Sequence, residues 1–325
     1  MSPFSQLQIR MYSKLGMRGS FSLAVEELVK TEPSLFVITA DLGLLTGLSR
    51  FKEKYPDHFL NVGIAEQNMI GIAAGMAKEG MNVFVTTYSN FLSMRAYEQI
   101  RIQLGYMDLN VKVVGTGSGL AMGMSGNTHY GIEDISLIRA VPGFTLVSPS
   151  DGLETVKVMH EILKYNCPVY VRLSGVMNLP VVYKEDYSFT LGKGVILRKG
   201  TDISIIATGT MVYESLVAAD LLSSSGLSAS VINIHTIKPL DVDLITRECL
   251  HSKLIVTIEE HSIIGGLGGA IAECISGLVH HPPLIRIGLP DLFQTVGDYQ
   301  YLLKENGLTG PQIADRLNFE MHRFD

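Results

Sequence analysis

Short runs of β-branched and other apolar residues alternate with longer segments of helical period along almost the whole chain. That alternation is the signature of βαβ units, whose crossovers leave neighbouring strands parallel and cover the sheet with helices. It predicts strands at Leu35 to Thr39, Asn82 to Thr86, Val111 to Thr116, Phe144 to Val147 and Val169 to Leu173, with helices near 20–30, 65–79, 91–104, 132–140 and 151–165. A second series opens at about residue 193. Its strands are Ile203 to Ala207, Ala229 to Ile234, Leu254 to Ile258 and Leu284 to Ile287, with helices near 212–224, 241–250, 267–279 and 310–321. Between the two, Pro180, Lys184, Glu185, Asp186 and Gly192 break the period of Asn178 to Gly192 and mark a linker. The expectation is an α/β chain of two domains, 1–187 and 188–325, each a mostly parallel sheet flanked by helices. A length of 325 residues, at roughly 150 per domain, agrees.

Composition narrows the partners. Charged residues make up only 18% and apolar residues 46%, against roughly 25% charged in an average soluble domain. This excludes a disordered chain and predicts that a sizeable apolar face lies against another subunit. A net charge of −6 with no basic run excludes nucleic acid as the natural partner. Cys167, Cys249 and Cys274 are isolated, without a CxxC pair, so neither a zinc site nor a disulfide framework is expected. Met1 to Gly19 lacks the apolar core of a signal peptide, and no stretch approaches the roughly 20 apolar residues of a spanning helix. The chain reads as cytoplasmic, with no membrane partner.

Three segments carry candidate chemistry. In Asn61 to Gly80 (NVGIAEQNMIGIAAGMAKEG) the helix is small and apolar except for Glu66, Gln67 and Asn68 at its start. Glu66 either complements the positive end of the helix dipole or is a proton-sharing carboxyl in a site that excludes water. In Thr86 to Arg101 (TTYSNFLSMRAYEQIR), Tyr88 and Phe91 follow a strand, where ligands of parallel α/β sheets bind, although aromatic residues there also serve as core. The loop Gly115 to Gly131 holds six glycines, which permit close backbone approach to a ligand, and His129, able to exchange a proton near neutral pH or simply solvated. Two other features are set aside. Gly265 to Gly269 (GGLGG) fails the GxGxxG pattern at Ile271 and reads as a tight strand-to-helix turn. His280 and His281 lack metal-ligand spacing and read as a terminal loop.

In order along the chain, ADLG at Ala40, NVGIAEQNMIGIAAGMA at Asn61, TTYSNF with RAYEQIR, NTHYGIEDISLIRAVPG at Asn127, SPSDGLE at Ser148 and INIHTIKPLD at Ile232 resemble the transketolase family, from about Arg18 to Phe319. What matches is the pyrimidine-binding domain and the C-terminal domain. The family's diphosphate-binding domain, with its GDG motif, has no counterpart. The resemblance implies a split transketolase. Its N-terminal subunit would hold the diphosphate of thiamine diphosphate through Mg²⁺ or Ca²⁺, the assembly would be an α2β2 heterotetramer, and sugars would be the substrates.

By the same resemblance, Glu66 would hydrogen-bond the pyrimidine ring nitrogen and promote the imino form that takes the thiazolium proton. Tyr88 and Phe91 would pack on the pyrimidine, and Asp41 would lie near the cofactor. His129 would contact substrate hydroxyls and Arg18 the substrate phosphate. Four positions depart from the family: Gly117 replaces a substrate histidine, Ser125 an aspartate, Leu45 stands near a phosphate-binding serine, and Gly175 about where a second arginine lies. Two rival readings are the β subunit of a thiamine-dependent 2-oxo acid dehydrogenase and a non-catalytic structural partner of a thiamine enzyme.

Overall fold

The computed structural model describes residues 4–324. Met1, Ser2, Pro3 and Asp325, at the outer ends of the two expected domains, lie outside the described residues, as does the side chain of Cys249. The strands are β1 Leu35–Thr39, β2 Phe59–Asn61, β3 Asn82–Tyr88, β4 Val111–Ser118, β5 Thr145–Val147, β6 Val169–Ser174, β7 Val195–Arg198, β8 Ile203–Ala207, β9 Ala229–Asn233, β10 Thr236–Lys238, β11 Leu254–Ser262 and β12 Leu284–Leu289. They form a seven-stranded sheet in the order β10-β5-β6-β4-β3-β1-β2 and a five-stranded sheet in the order β12-β11-β8-β9-β7. Pairing is parallel except for β10 on β5 and β7 on β9. The α/β architecture of two mostly parallel sheets flanked by helices is therefore the one the alternation implies.

The central strands are apolar and closed off on both faces. Every residue of β4, β6, β8 and β9 is buried, as parallel sheets covered by helices require. Each fully buried Val, Ile or Leu contributes roughly 1.5–3 kcal/mol relative to exposure. GGLGG is a strand-to-helix turn: the buried Glu259 carboxylate, on β11, accepts the Leu267 and Gly268 N–H groups at 2.6 and 2.8 Å, closing the open start of helix Leu267–Ile275. His280 and His281 are exposed and outside any helix or strand.

Several elements differ from expectation. A helical stretch runs over Gln6–Leu28; the part after Gly16 is the helix expected near 20–30, and the turns before it, opened by a Ser5–Gln8 capping box, were not foreseen. The stretch bends at Gly16 (φ 68°), where a Cβ would stand 2.3 Å from the Val176 carbonyl oxygen. The helix expected at 91–104 is instead two π-type segments, Phe91–Arg95 and Ile100–Tyr106, flanking a single α turn at Tyr97–Gln99. Such wide turns absorb a residue that an α-helix has no room for. Strands β2, β7 and β10, three or four residues long, were not expected, whereas the equally short β5 was.

The two sheets are tied together. β10 comes from the second series yet pairs with β5 in the first sheet. Residues 175–194 contain no helix or strand, but this connection is anchored. The Asp151 carboxylate accepts the N–H groups of Val182 and Tyr183 at 3.0 and 3.1 Å, and the hydroxyls of Tyr183 and Tyr187 donate to buried Glu154 at 3.0 and 2.7 Å. Arg172 on β6 pairs with buried Asp134 at 3.0 Å and donates to the carbonyl of Glu260 on β11 at 2.8 Å.

Candidate active site

The segments singled out in the sequence all follow the C-terminal ends of strands of the first sheet. Asp41 follows β1, Glu66 follows β2, Phe91 follows β3, Gly117 and His129 lie at or beyond the end of β4, and Gly175 follows β6. Ligand crevices of open parallel sheets form at that edge, where strand order leaves loops diverging.

Glu66 is the first residue of helix Glu66–Lys78, and its side chain is only 6% exposed. Ala65 before it provides no side-chain cap, so the acid sits beside free helix-start N–H groups, where negative charge is favoured. Its Oε1 accepts from Nη1 of Arg95 at 3.1 Å. The Arg95 guanidinium carbon also lies over the Phe91 ring, 3.7 Å from its centroid, a cation–π contact.

Phe91 meets Tyr88 at 5.6 Å between centroids and the edge of His129 at 5.4 Å, while Tyr88 meets His129 at 6.0 Å. Tyr88 is buried and Phe91 and His129 half-buried. The His129 Nδ1 lies 2.9 Å from the Thr128 hydroxyl, and Asn90 holds this loop through a 2.7 Å bond to the Thr128 carbonyl. Burial raises the Tyr88 phenol above its ordinary pKa, and the nearby positive charge of Arg18 pulls it part of the way back. Arg18 itself donates to the Leu45 carbonyl at 2.6 Å.

Tyr88, Phe91 and His129 thus form one aromatic wall, joined to Glu66 through Arg95 and flanked by Arg18. Asp41 makes its contacts elsewhere. It is exposed, takes a positive φ of 60°, and is locked to Asn61 by two hydrogen bonds of 2.9 and 3.0 Å. The pair borders a cleft of about 360 Å³ that Leu44, Lys52 and Phe59 also line.

Two of the four departures, Gly117 and Gly175, lie against each other. Gly117 has φ 65°, and a Cβ there would stand 3.0 Å from Met122 Sδ and 3.3 Å from Tyr88 Cδ1; one on Gly175 would stand 3.2 Å from Gly117 Cα. Met122 therefore fills the space that a side chain at 117 would enter. Leu45 and Ser125 are exposed.

Sequence reading passed over Arg95 and Met122. Arg95 carried a signal, since it stands four residues after Phe91 and residues so spaced meet on a helical turn. For Met122, a thioether among glycines, no signal was available.

A flat ring with a polar edge requires an aromatic wall and a buried acceptor beside it. Phe91 with Tyr88 and Glu66 supply both, and the buried Ser89 Oγ and Asn90 Oδ1 have no hydrogen-bond partner. These residues fit a pyrimidine. Among the described residues no three His, Cys, Asp or Glu side chains are grouped to hold a metal ion, and no helix is long and apolar enough to cross a membrane.

The chain is similar to known proteins over nearly its whole length. Residues 13–177 match the family model for the transketolase pyrimidine binding domain and residues 192–313 that for the transketolase C-terminal domain. A Methanocaldococcus jannaschii protein named for the C-terminal section of transketolase is 42% identical over 95% of this chain and 97% of its own length. The 6-deoxy-6-sulfo-D-fructose transketolase subunit of Clostridium sp. strain MSTE9 is 38% identical over 92% of each chain. A solved structure described as a split gene transketolase, an inactive β4 tetramer, superposes with TM-score 0.85 at 34% identity, covering 94% of this chain and 98% of its own.

Proposed function

This chain belongs to the transketolase family and carries its pyrimidine-binding and C-terminal domains; from that premise we propose that it is the C-terminal subunit of a two-chain transketolase. The enzyme would move a two-carbon ketol unit from a ketose to an aldehyde sugar. A separate N-terminal subunit would carry the diphosphate-binding domain and the Mg²⁺ or Ca²⁺, in an α2β2 assembly in the cytoplasm. The division of labour within this chain would fall at 187/188, with the site on 1–187.

The observation that carries the reading is Glu66, a buried carboxylate at an uncapped helix start beside an aromatic wall. A purely structural partner has no use for that arrangement. Thiamine diphosphate, when bound, supplies a nucleophilic carbon that cleaves and forms the C–C bond next to a carbonyl. Glu66 holds the proton at the pyrimidine ring nitrogen, and burial makes that hydrogen bond stronger than it would be in water. Phe91 and Tyr88 cover the ring and exclude water. His129, half-buried against both, offers a donor or acceptor to a sugar hydroxyl, and Arg18 meets an anionic group at the substrate's far end. Asp41, fixed by Asn61, borders the cofactor side.

The substrate pocket differs from that of the family by losing polar groups. Met122 closes the space over Gly117, and Arg18 is the cation retained. At least one substrate is therefore a modified sugar, deoxygenated or nucleotide-linked, rather than an ordinary pentose or triose phosphate. The name of the Clostridium relative, a 6-deoxy-6-sulfo sugar enzyme, supports that direction.

The test is Glu66→Gln and Glu66→Ala in the assembled complex, with exchange of the cofactor C2 proton followed by NMR. Both variants should fold and lose about 10²- to 10⁴-fold in exchange and turnover. Exchange and turnover near wild type in both would reduce Glu66 to a helix-start carboxylate.

A further inference from the structure

We propose that Arg95 holds the place of the cofactor's pyrimidine ring in the free chain and must swing out for the ring to enter. The inference rests on the reading of Glu66 and Phe91 given above. The guanidinium is flat and delocalised, with N–H donors around its edge. Its Cζ lies over the Phe91 ring, 3.7 Å from the centroid, and its Nη1 donates to Glu66 Oε1 at 3.1 Å. It thereby meets the same two demands that an aminopyrimidine would: a face for the aromatic wall and an edge donor for the carboxylate. At 3.7 Å, Arg95 and Phe91 are in van der Waals contact, and no ring fits between them.

The placement follows from the backbone. Phe91–Arg95 is a π-type segment, whose wide turn closes i→i+5 bonds and sets residue i+4 almost over residue i. The Arg95 carbonyl is fixed by a 3.0 Å bond from Gln67 Nε2. Its side chain is 50% exposed against 6% for Glu66, so the guanidinium can leave into water while the acid stays buried. Opening the pair alone would leave a buried acid unpaired, so it opens as the ring's own edge donor takes the place of Arg95 at Glu66. Arg95 therefore keeps Glu66 compensated in a chain without cofactor, at a modest cost to cofactor affinity.

The two-chain complex, loaded with Mg²⁺, is titrated calorimetrically with thiamine diphosphate as wild type, Arg95→Met and Arg95→Lys. Arg95→Met keeps the apolar stem and loses the flat donor. It should bind about two- to tenfold tighter than wild type, with Arg95→Lys between the two. Arg95→Gln serves in its place should the Met variant not assemble. Equal or weaker binding by the Met or Gln variant would overturn the inference, since Arg95 would then be a structural pair or itself a cofactor contact. Loss of turnover in Glu66→Gln would survive that outcome and leave the parent reading standing. A complex that binds no cofactor in any form would overturn both.

Discussion

The proposed role of Arg18 is to meet an anionic substrate group, and its side chain donates to the Leu45 carbonyl. A charge-assisted contact of this kind is worth roughly 1.5–3 kcal/mol. Arg18→Met should accordingly raise KM for an anionic ketose by about 10- to 100-fold and leave an uncharged analogue almost unaffected. Steady-state kinetics of the assembled complex on the two substrates checks this, and equal losses on both would place Arg18 outside the substrate end. Legibility at this scale varied with chemistry. Glu66 stood out because a lone acid in a small apolar helix has no packing use. Arg95 did not, because an arginine within RAYEQIR reads as the polar face of an ordinary helix. Met122 could not be found at all, since its role depends on the absent side chain of Gly117.

The parallel strands were legible where apolar β-branched residues run together, and β1 and β8 lie where those runs place them. β10 was not, because its pairing with β5 depends on a contact between the two halves of the chain rather than on its three residues. The turn after β11 has a pH signature. Burial pushes the Glu259 carboxyl up to about 7, against the pull of the Gly268 and Leu267 N–H groups and Arg172. The folded form therefore holds this proton more tightly than the unfolded chain, where the pKa is about 4.3. The stability it contributes is full below about pH 4.3 and is lost as pH rises through about 7. Neighbouring His261 is pushed down to about 4 by burial and works in the opposite sense, losing stability as pH falls from about 6.5. Comparing wild type with Glu259→Gln isolates the first effect. Between about pH 4.5 and 7 the melting temperature of the Gln variant should lack the fall that Glu259 imposes on wild type. Parallel Tm profiles would show that Glu259 is ionised throughout.

At the scale of the whole molecule, the low charge fraction predicts a covered apolar face; large apolar side chains stand exposed at several places, Leu44, Ile64, Met124, Val279 and Phe293 being 78%, 77%, 77%, 90% and 91% exposed. Leu44, Ile64 and Met124 stand a few residues from Asp41, Glu66 and His129 in the chain, where the proposed partner would seat. The proposed reading puts the diphosphate and its ion on a different polypeptide, so that half of the site would not be legible in this chain. The central claim is that this chain supplies the pyrimidine half of a divided thiamine site. Calorimetric titration of thiamine diphosphate with Mg²⁺ into the isolated chain, and into the chain mixed with its N-terminal partner, measures it directly. The account predicts no detectable binding to the chain alone and saturable binding to the pair. Binding to the isolated chain with a Kd of about 1 μM, some −8 kcal/mol, would contradict it.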